Sequence, residues 1–116
     1  GEIEKMVKRG NKNEYSHVLI CLDHFDYEYF PKYIKYDEDA IDIINQIKNR
    51  DNIEMLSIKE IYIESGITSI EKNTFNNLTN LQKITLPNTI ISIEKSTFDN
   101  CTSLKEIIVD ESNQYS

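Results

Sequence analysis

Apolar residues recur at a fixed spacing in the second half of this chain of 116 residues. Residues 67–89 and 90–112 align without a gap, so that isoleucine, phenylalanine and leucine positions repeat every 23 residues. Phe75 matches Phe98 in this alignment, and Leu81 matches Leu104. A period of this size is typical of a solenoid, in which each unit buries its apolar face against the next unit.

A third, partial copy precedes these two units. Residues 58–63 match residues 81–86 at the same offset, which predicts a strand in phase with the repeat. The rest of this unit is replaced by a predicted helix over residues 37–50. Because the exposed end of a solenoid must be capped, terminal units are often atypical. We therefore expect residues 17–57 to form an αβ cap; the alternative is an independent αβ module that ends in a strand.

The cap pattern predicts a buried strand followed by an irregular aromatic stretch and the helix. Residues 17–22 are continuously apolar, which predicts a strand buried on both faces. Pro31 interrupts any strand in the stretch that follows, or places it at a sheet edge. Residues 33–36 predict a short second strand at most.

Polar residues mark the start of the predicted helix, and they also dominate the N-terminal segment. Asp37 or Asp39 can cap the helix, and Ala40, Ile43, Ile44 and Ile47 share one face. Residues 1–16 form a polar N-terminal arm, in which residues 3–9 are either a short helix or mobile.

The repeat resembles the BspA-like class of leucine-rich repeats. In the first full unit the resemblance rests on Ile67, Ile70, Phe75, Leu78, Leu81, Ile84, Leu86 and Pro87. In the second it rests on Ile90, Ile93, Phe98, Cys101, Leu104, Ile107 and Val109. The departures from the class pattern are Glu71 and Glu94 in place of glycine, and Asp110 in place of proline. The resemblance covers residues 58–112 and leaves residues 1–50 unexplained.

The resemblance implies an α/β fold: a fragment of a leucine-rich-repeat solenoid with parallel stacked strands over residues 58–116 and the N-terminal αβ cap. It also implies an interaction scaffold for adhesion or recognition, with no catalytic residue and no cofactor. Members of this family are commonly cell-surface or secreted proteins of bacteria and protists. An extracellular or surface location follows from the resemblance, and a cytoplasmic one stays open.

Strand alternation then sorts the side chains of the repeat into core and surface. The predicted core positions are Ile61, Ile63, Ile84, Leu86, Ile107 and Val109. The outward positions form two rows across the strands. The charged row contains Glu60, Lys83 and Glu106, and the Tyr62 row contains Tyr62, Thr85 and Ile108.

We interpret the charged row as a solvated surface that keeps the strands in register. The Tyr62 row is the stronger candidate for protein contact, because an aromatic and an isoleucine on an open sheet suit an interface. The alternative is that a neighbouring segment covers it. Tyr27 and Tyr29, which lie among acids, suit a basic protein surface, or else pack the cap against the first repeat.

Composition and charge narrow the classes of partner. The net charge of −7 argues against nucleic acid and anionic membranes, and no apolar run is long enough to span a bilayer. Cys21 and Cys101 are expected to be free thiols; a disulfide between them is the alternative, although nothing in the sequence places them close together. The two N-x-T sequences at Asn77 and Asn100 are expected to supply turn hydrogen bonds.

Residues with catalytic chemistry cluster once, at His17, Cys21, Asp23 and His24, without the spacing of a metal site. The hypothesis is therefore a protein-protein interaction module, not an enzyme, with a protein partner and no cofactor or metal. The alternatives are a structural segment of a longer scaffold and an enzyme that uses residues 17–50. Self-association through the exposed C-terminal repeat edge is also expected.

Overall fold

The computed structural model describes residues 1–10, 15–23, 26–54, 56–94 and 96–110. It contains two helices and seven strands in these ranges. In chain order they are α1 (Glu2–Gly10), β1 (Tyr15–Asp23), β2 (Glu28–Lys35), α2 (Ala40–Glu54), β3 (Leu56–Ile63), β4 (Ser69–Ile70), β5 (Lys83–Pro87), β6 (Ser92–Ile93) and β7 (Glu106–Asp110).

The main sheet joins β1 and β2 to the strands of the repeats. Its strand order is β2-β1-β3-β5-β7, and β3, β5 and β7 are parallel. Ile61 lies beside Ile84, which lies beside Ile107, so the register is the 23-residue offset of the sequence. The prediction that residues 58–63 form a strand in phase with the repeat is confirmed. A second, two-stranded sheet pairs β4 with β6 at the same offset.

The cap strands enter this sheet in the opposite direction. β1 is antiparallel to both β2 and β3, and β2 is the edge strand. β2 begins well before the predicted 33–36 because Pro31 lies at the edge of the sheet, where its missing amide proton breaks no ladder between two strands. Val18, Leu19 and Ile20 are fully buried, as expected for a strand covered on both faces.

Each face of the sheet carries one helix. α2 packs on the face that carries Ile61 and Ile84, which we call the inner face. There Ile44 joins the core of the repeats, and Ala40, Ile43 and Ile47 pack against it. Asp39 is the cap of α2, since its Oδ1 accepts hydrogen bonds from the amides of Ile41 at 3.0 Å and Asp42 at 3.4 Å. The predicted helical face is confirmed.

The first residues form α1, which lies on the outer face of the cap strands. Met6 is buried against Val18 and Ile20. The Tyr33 hydroxyl donates a hydrogen bond of 2.7 Å to the Met6 carbonyl, which holds the helix to β2. Of the two alternatives for residues 3–9, the structure has the helix.

The repeat core fills the space between the inner face and the β4–β6 sheet. Phe75 is fully buried and stacks on Phe98 with ring centroids 5.9 Å apart. Burial decreases toward β7, where Ile107 is 53% exposed and Val109 is 55% exposed. For these two residues the prediction of a core position is wrong, because β7 has a neighbouring strand only on the β5 side within the described residues.

Candidate functional site

Both predicted rows cross the whole main sheet on its outer face. The Tyr62 row extends through pairs of facing residues: Tyr62 lies beside Val18 on β1, and Val18 lies beside Tyr33 on β2. In the other direction Tyr62 pairs with Thr85, and Thr85 with Ile108. The row therefore begins as the contact layer under α1 and continues onto the repeats.

On each repeat strand, the residue of the charged row lies two positions before the residue of the Tyr62 row. Glu60 pairs with Ile20 on the cap side and with Lys83 on the repeat side, and Lys83 pairs with Glu106. Within the described residues, no ion pair joins the Lys83 ammonium to either carboxylate. Glu60 Oε2 is buried without a hydrogen-bond partner. Lys83 and Glu106 thus lie side by side in register without an ion pair between them, whereas Glu60 is partly covered.

Tyr62 lies at the boundary between the covered and open parts of the outer face. Its side chain packs on the cluster formed by Met6, Val18 and Ile20. Burial raises the pKa of its hydroxyl to about 12, and the carboxylates of Glu60 and Glu4 add to the effect. The predicted alternative was that a neighbouring segment covers this row, and among the described residues α1 does so at Tyr62.

Beyond Tyr62, the outer face of the repeats is accessible. Lys83, Thr85 and Ile108 are half-buried, and Glu106 is exposed. These four side chains lie on two adjacent parallel strands and combine both signs of charge with a hydroxyl and an apolar group. We call these four residues the open outer patch.

Tyr27 and Tyr29 lie apart from the open outer patch. Tyr27 is 75% exposed in the turn between β1 and β2, where its backbone is left-handed with φ of 59°. Tyr29 is 43% exposed on β2, two strands away from β3. The structure therefore brings six of the eight predicted contact residues together and places the two tyrosines at the sheet edge.

Of the predicted cluster of potentially catalytic residues, His17, Cys21 and Asp23 lie on β1 within the described residues. Burial raises the pKa of the Cys21 thiol to about 12, so this group stays protonated and is a poor nucleophile at neutral pH. His24 lies outside the described residues. No group of three potential metal-ligating side chains occurs in the described ranges. Cys21 and Cys101 are both free.

A cavity that was not predicted from the sequence lies on the inner side of the sheet. It has a volume of about 290 Å³ and is bounded by the start of β1, the connection from β2 to α2, and residues 67–74. His17 and Ser16 line it together with three acidic side chains, Glu38, Asp39 and Glu71. The sequence did not predict this cavity because these five residues come from three separate segments of the chain.

The helices of the described segments include none that is long and apolar enough to cross a membrane.

Comparison with known proteins gives one family and one structure. The model of the family described as BspA type leucine rich repeat region (6 copies) matches residues 41–116. The crystal structure of a leucine rich cell surface protein from Faecalibacterium prausnitzii A2-165 aligns at 34% identity with a TM-score of 0.43. That alignment covers 48% of this chain and 15% of the other chain. No curated protein matches the sequence.

Proposed function

The chain belongs to the BspA-type leucine-rich repeat family, and on this basis we propose that it is a protein-protein interaction module. Its binding surface is the open outer patch. The family is typically a non-enzymatic repeat scaffold, and the resemblance derived from the repeat residues is confirmed. A surface or secreted location is part of the same proposal.

One observation carries the assignment of the binding surface. The parallel register of β5 and β7 places Lys83 beside Glu106 and Thr85 beside Ile108, on the face beside the helix α1. A patch that combines an apolar side chain with charges free of internal ion pairs can offer both buried area and orientation to a partner. α1 packs on Tyr62, which lies next to Thr85 of this patch.

Capture from a lysate of candidate partner cells tests this surface. The immobilised chain is compared with a Lys83→Glu, Ile108→Ala variant and with a matched control, Lys72→Glu, Ile91→Ala. The control makes the same two changes at residues that are exposed outside the outer face. We expect proteins captured by the original chain to be lost with the first variant and retained with the control. The same captured set with both variants would contradict the assignment.

The second candidate is a structural segment of a longer scaffold, and the exposed repeat end favours it. Ile84, Leu86 and Ile70 are at most 5% exposed, whereas the matching Ile107, Val109 and Ile93 are 39–55% exposed. We propose that a further unit in the same 23-residue register covers this end. Extending the chain by one copy of residues 67–89 after residue 112 should then raise the thermal unfolding temperature and protect the Ile107 amide from hydrogen exchange. An extension that changes neither would contradict this role.

A further inference from the structure

The outer face of the main sheet carries a helix over β1 and β2 and is open over the repeats. Met6 of α1 is buried against Val18 and Ile20, and Tyr62 packs on the same cluster. Val18 pairs with Tyr62 and Ile20 pairs with Glu60, so the two buried residues continue the Tyr62 row and the charged row onto β1. The open outer patch is therefore the continuation, on the repeats, of the surface that α1 already covers.

The side chains of the open outer patch keep part of the character of that covered surface. Thr85 and Ile108 continue the Tyr62 row and are half-buried. Both are β-branched, which restricts χ1 and holds their methyl groups in place. The charged row differs, because α1 covers an apolar residue of β1 there, whereas the repeats present Lys83 and the exposed Glu106. An element that packs here as α1 packs on β1 needs an apolar stripe with charged residues beside it.

The backbone pairing of β5 decides which kind of element can lie on this face. β5 is paired with β3 on one side and with β7 on the other, so the face above it offers side chains only. An extended peptide laid across this face would find no backbone partners in β5 for its own N–H and C=O groups. A helix satisfies these groups internally and contacts the sheet through side chains alone. The pairing therefore favours a helix.

The spacing of the strands leaves room for a second helix beside α1. α1 contacts β1 and β2. A helix over β3 and β5 is displaced from α1 by two strand spacings, roughly 9.6 Å. Packed helices are usually separated by about 8–10 Å. A second helix can therefore pack on the open outer patch without displacing α1.

The charges on the outer face indicate the sign of such a helix. The charged row holds two carboxylates, Glu60 and Glu106, against the single ammonium of Lys83. Glu4 of α1 is also exposed, and its charge acts on the Tyr62 hydroxyl at the border of the patch. The whole chain carries a net charge of −7. Basic residues beside the apolar stripe are therefore complementary to this surface.

We propose that the open outer patch binds a basic amphipathic helix of a partner protein, which lies beside α1 with its apolar stripe on Thr85 and Ile108. Lysine or arginine residues next to the stripe meet Glu106. This inference rests on the binding surface proposed above and names the kind of element that the surface takes. In this mode of recognition the partner contributes apolar residues at every third and fourth position of its helix.

Selection from two displayed peptide libraries on the immobilised full chain tests the proposal. In the first library, apolar residues recur at every third and fourth position and all other positions are randomised, which favours an amphipathic helix. The second library is identical except for a central proline, which breaks the helix. We expect enrichment from the first library only, with lysine or arginine beside the apolar stripe.

Variants of the chain then locate the bound peptides. Their affinity, measured by fluorescence polarisation, should fall about tenfold with Ile108→Ala, a typical effect for a central interface side chain. Glu106→Lys changes an exposed side chain and should also weaken the basic peptides. The matched control Ile91→Ala truncates an isoleucine that is 83% exposed outside the outer face and should leave the affinity unchanged. Circular dichroism should show that the peptides become helical on binding.

Three results would overturn the proposal: no enrichment from the helical library, equal enrichment from the proline library, or an affinity that neither Ile108→Ala nor Glu106→Lys changes. Equal enrichment that still depends on Ile108 would leave the open outer patch a binding surface for another kind of element. The proposed function itself fails on a separate result, which is capture from the lysate that does not depend on this patch.

Discussion

The side-chain amide of Asn100 donates a hydrogen bond of 2.7 Å to Oδ1 of Asn77, one repeat unit earlier. Both residues have left-handed backbone, with φ of 63° and 62°. Asparagine tolerates this conformation better than most residues with a Cβ atom. The two N-x-T sequences thus supply the same turn in successive units, and their side chains join these turns to each other.

The first prediction concerns this turn. Asn77→Ala loses the hydrogen bond and places alanine in a left-handed conformation, so we expect a loss of about 2 kcal/mol in the free energy of unfolding. Asn77→Gly loses only the hydrogen bond and should cost about 1 kcal/mol, because glycine adopts positive φ freely. Urea unfolding followed by circular dichroism measures both. Glycine that is as destabilising as alanine would rule out backbone strain as a cause.

The second prediction uses the stacked phenylalanines. Phe75 is fully buried, whereas Phe98 occupies the same repeat position and is only partly buried. Phe75→Ala should therefore destabilise the fold by about 3–5 kcal/mol, the usual range for a large buried aromatic. Phe98→Ala should cost less, since part of its surface already contacts water. Equal losses in denaturant unfolding would indicate that the second unit is as well packed as the first.

The sequence predicted the repeat well because its signal is local and periodic. The offset between Phe75 and Phe98 is also the register of Ile61, Ile84 and Ile107, so core and surface positions followed from strand alternation alone. The exposure of the last unit could not be predicted in this way, because Ile107 is the same residue type at the same repeat position as the buried Ile84. Burial there depends on what lies beyond β7.

The cap was harder to predict because its contacts are not local. Residues 17–22 predicted a buried strand, but nothing in that run specifies that β1 pairs antiparallel with β3 and extends the sheet of the repeats. The position of α1 over Tyr62 likewise depends on Met6 and Ile3, two apolar residues in a mostly polar segment. The cavity near His17 is formed where the antiparallel strand β1 meets the connection before α2. Its lining residues are far apart in the sequence and therefore could not be grouped from it.

The third prediction is a pH dependence of stability that arises from His17. Burial lowers its pKa in the folded state to about 4 from 6.5, so the unfolded chain binds this proton at higher pH than the folded chain. The stabilisation is complete above about pH 6.5 and is lost as the pH falls toward 4, and the loss reaches about 3 kcal/mol there. The titratable groups that line the same cavity as His17 are Tyr36, Glu38, Asp39 and Glu71.

A variant that keeps those four groups isolates the histidine. His17→Asn replaces the ring with a polar side chain that does not titrate in this range. Its free energy of unfolding should fall less between pH 7 and pH 4.5 than that of the original chain, by about 2–3 kcal/mol. Parallel curves for the two proteins would mean that His17 contributes nothing to the acid sensitivity.

The fourth prediction separates the two cysteines by their reactivity. Cys21 is 1% exposed and its pKa is raised to about 12, whereas Cys101 is half-buried, with its thiol donating a hydrogen bond of 3.0 Å to the Phe75 carbonyl. Iodoacetamide at pH 8 should modify Cys101 first and Cys21 only after unfolding. Mass spectrometry of time points identifies the modified residue, and a Cys101→Ser variant should show no fast phase. Early modification of Cys21 would contradict the burial of β1.

The fifth prediction compares two isoleucines that occupy the same repeat position. Ile84 is fully buried and Ile107 is 53% exposed, although both point to the inner face of the sheet. Ile84→Lys places an unpaired charge in the core and should abolish cooperative folding, because burying such a group costs several kcal/mol. Ile107→Lys should leave the unfolding transition nearly unchanged.

Ile107→Lys should also lower the self-association that we expect of the original chain at high concentration, because the apolar end that includes Val109 and Ile93 is then interrupted by a charge. Light scattering across a concentration series checks this effect. If the original chain stays strictly monomeric, or if Ile107→Lys associates as strongly, the apolar end is not a self-association surface.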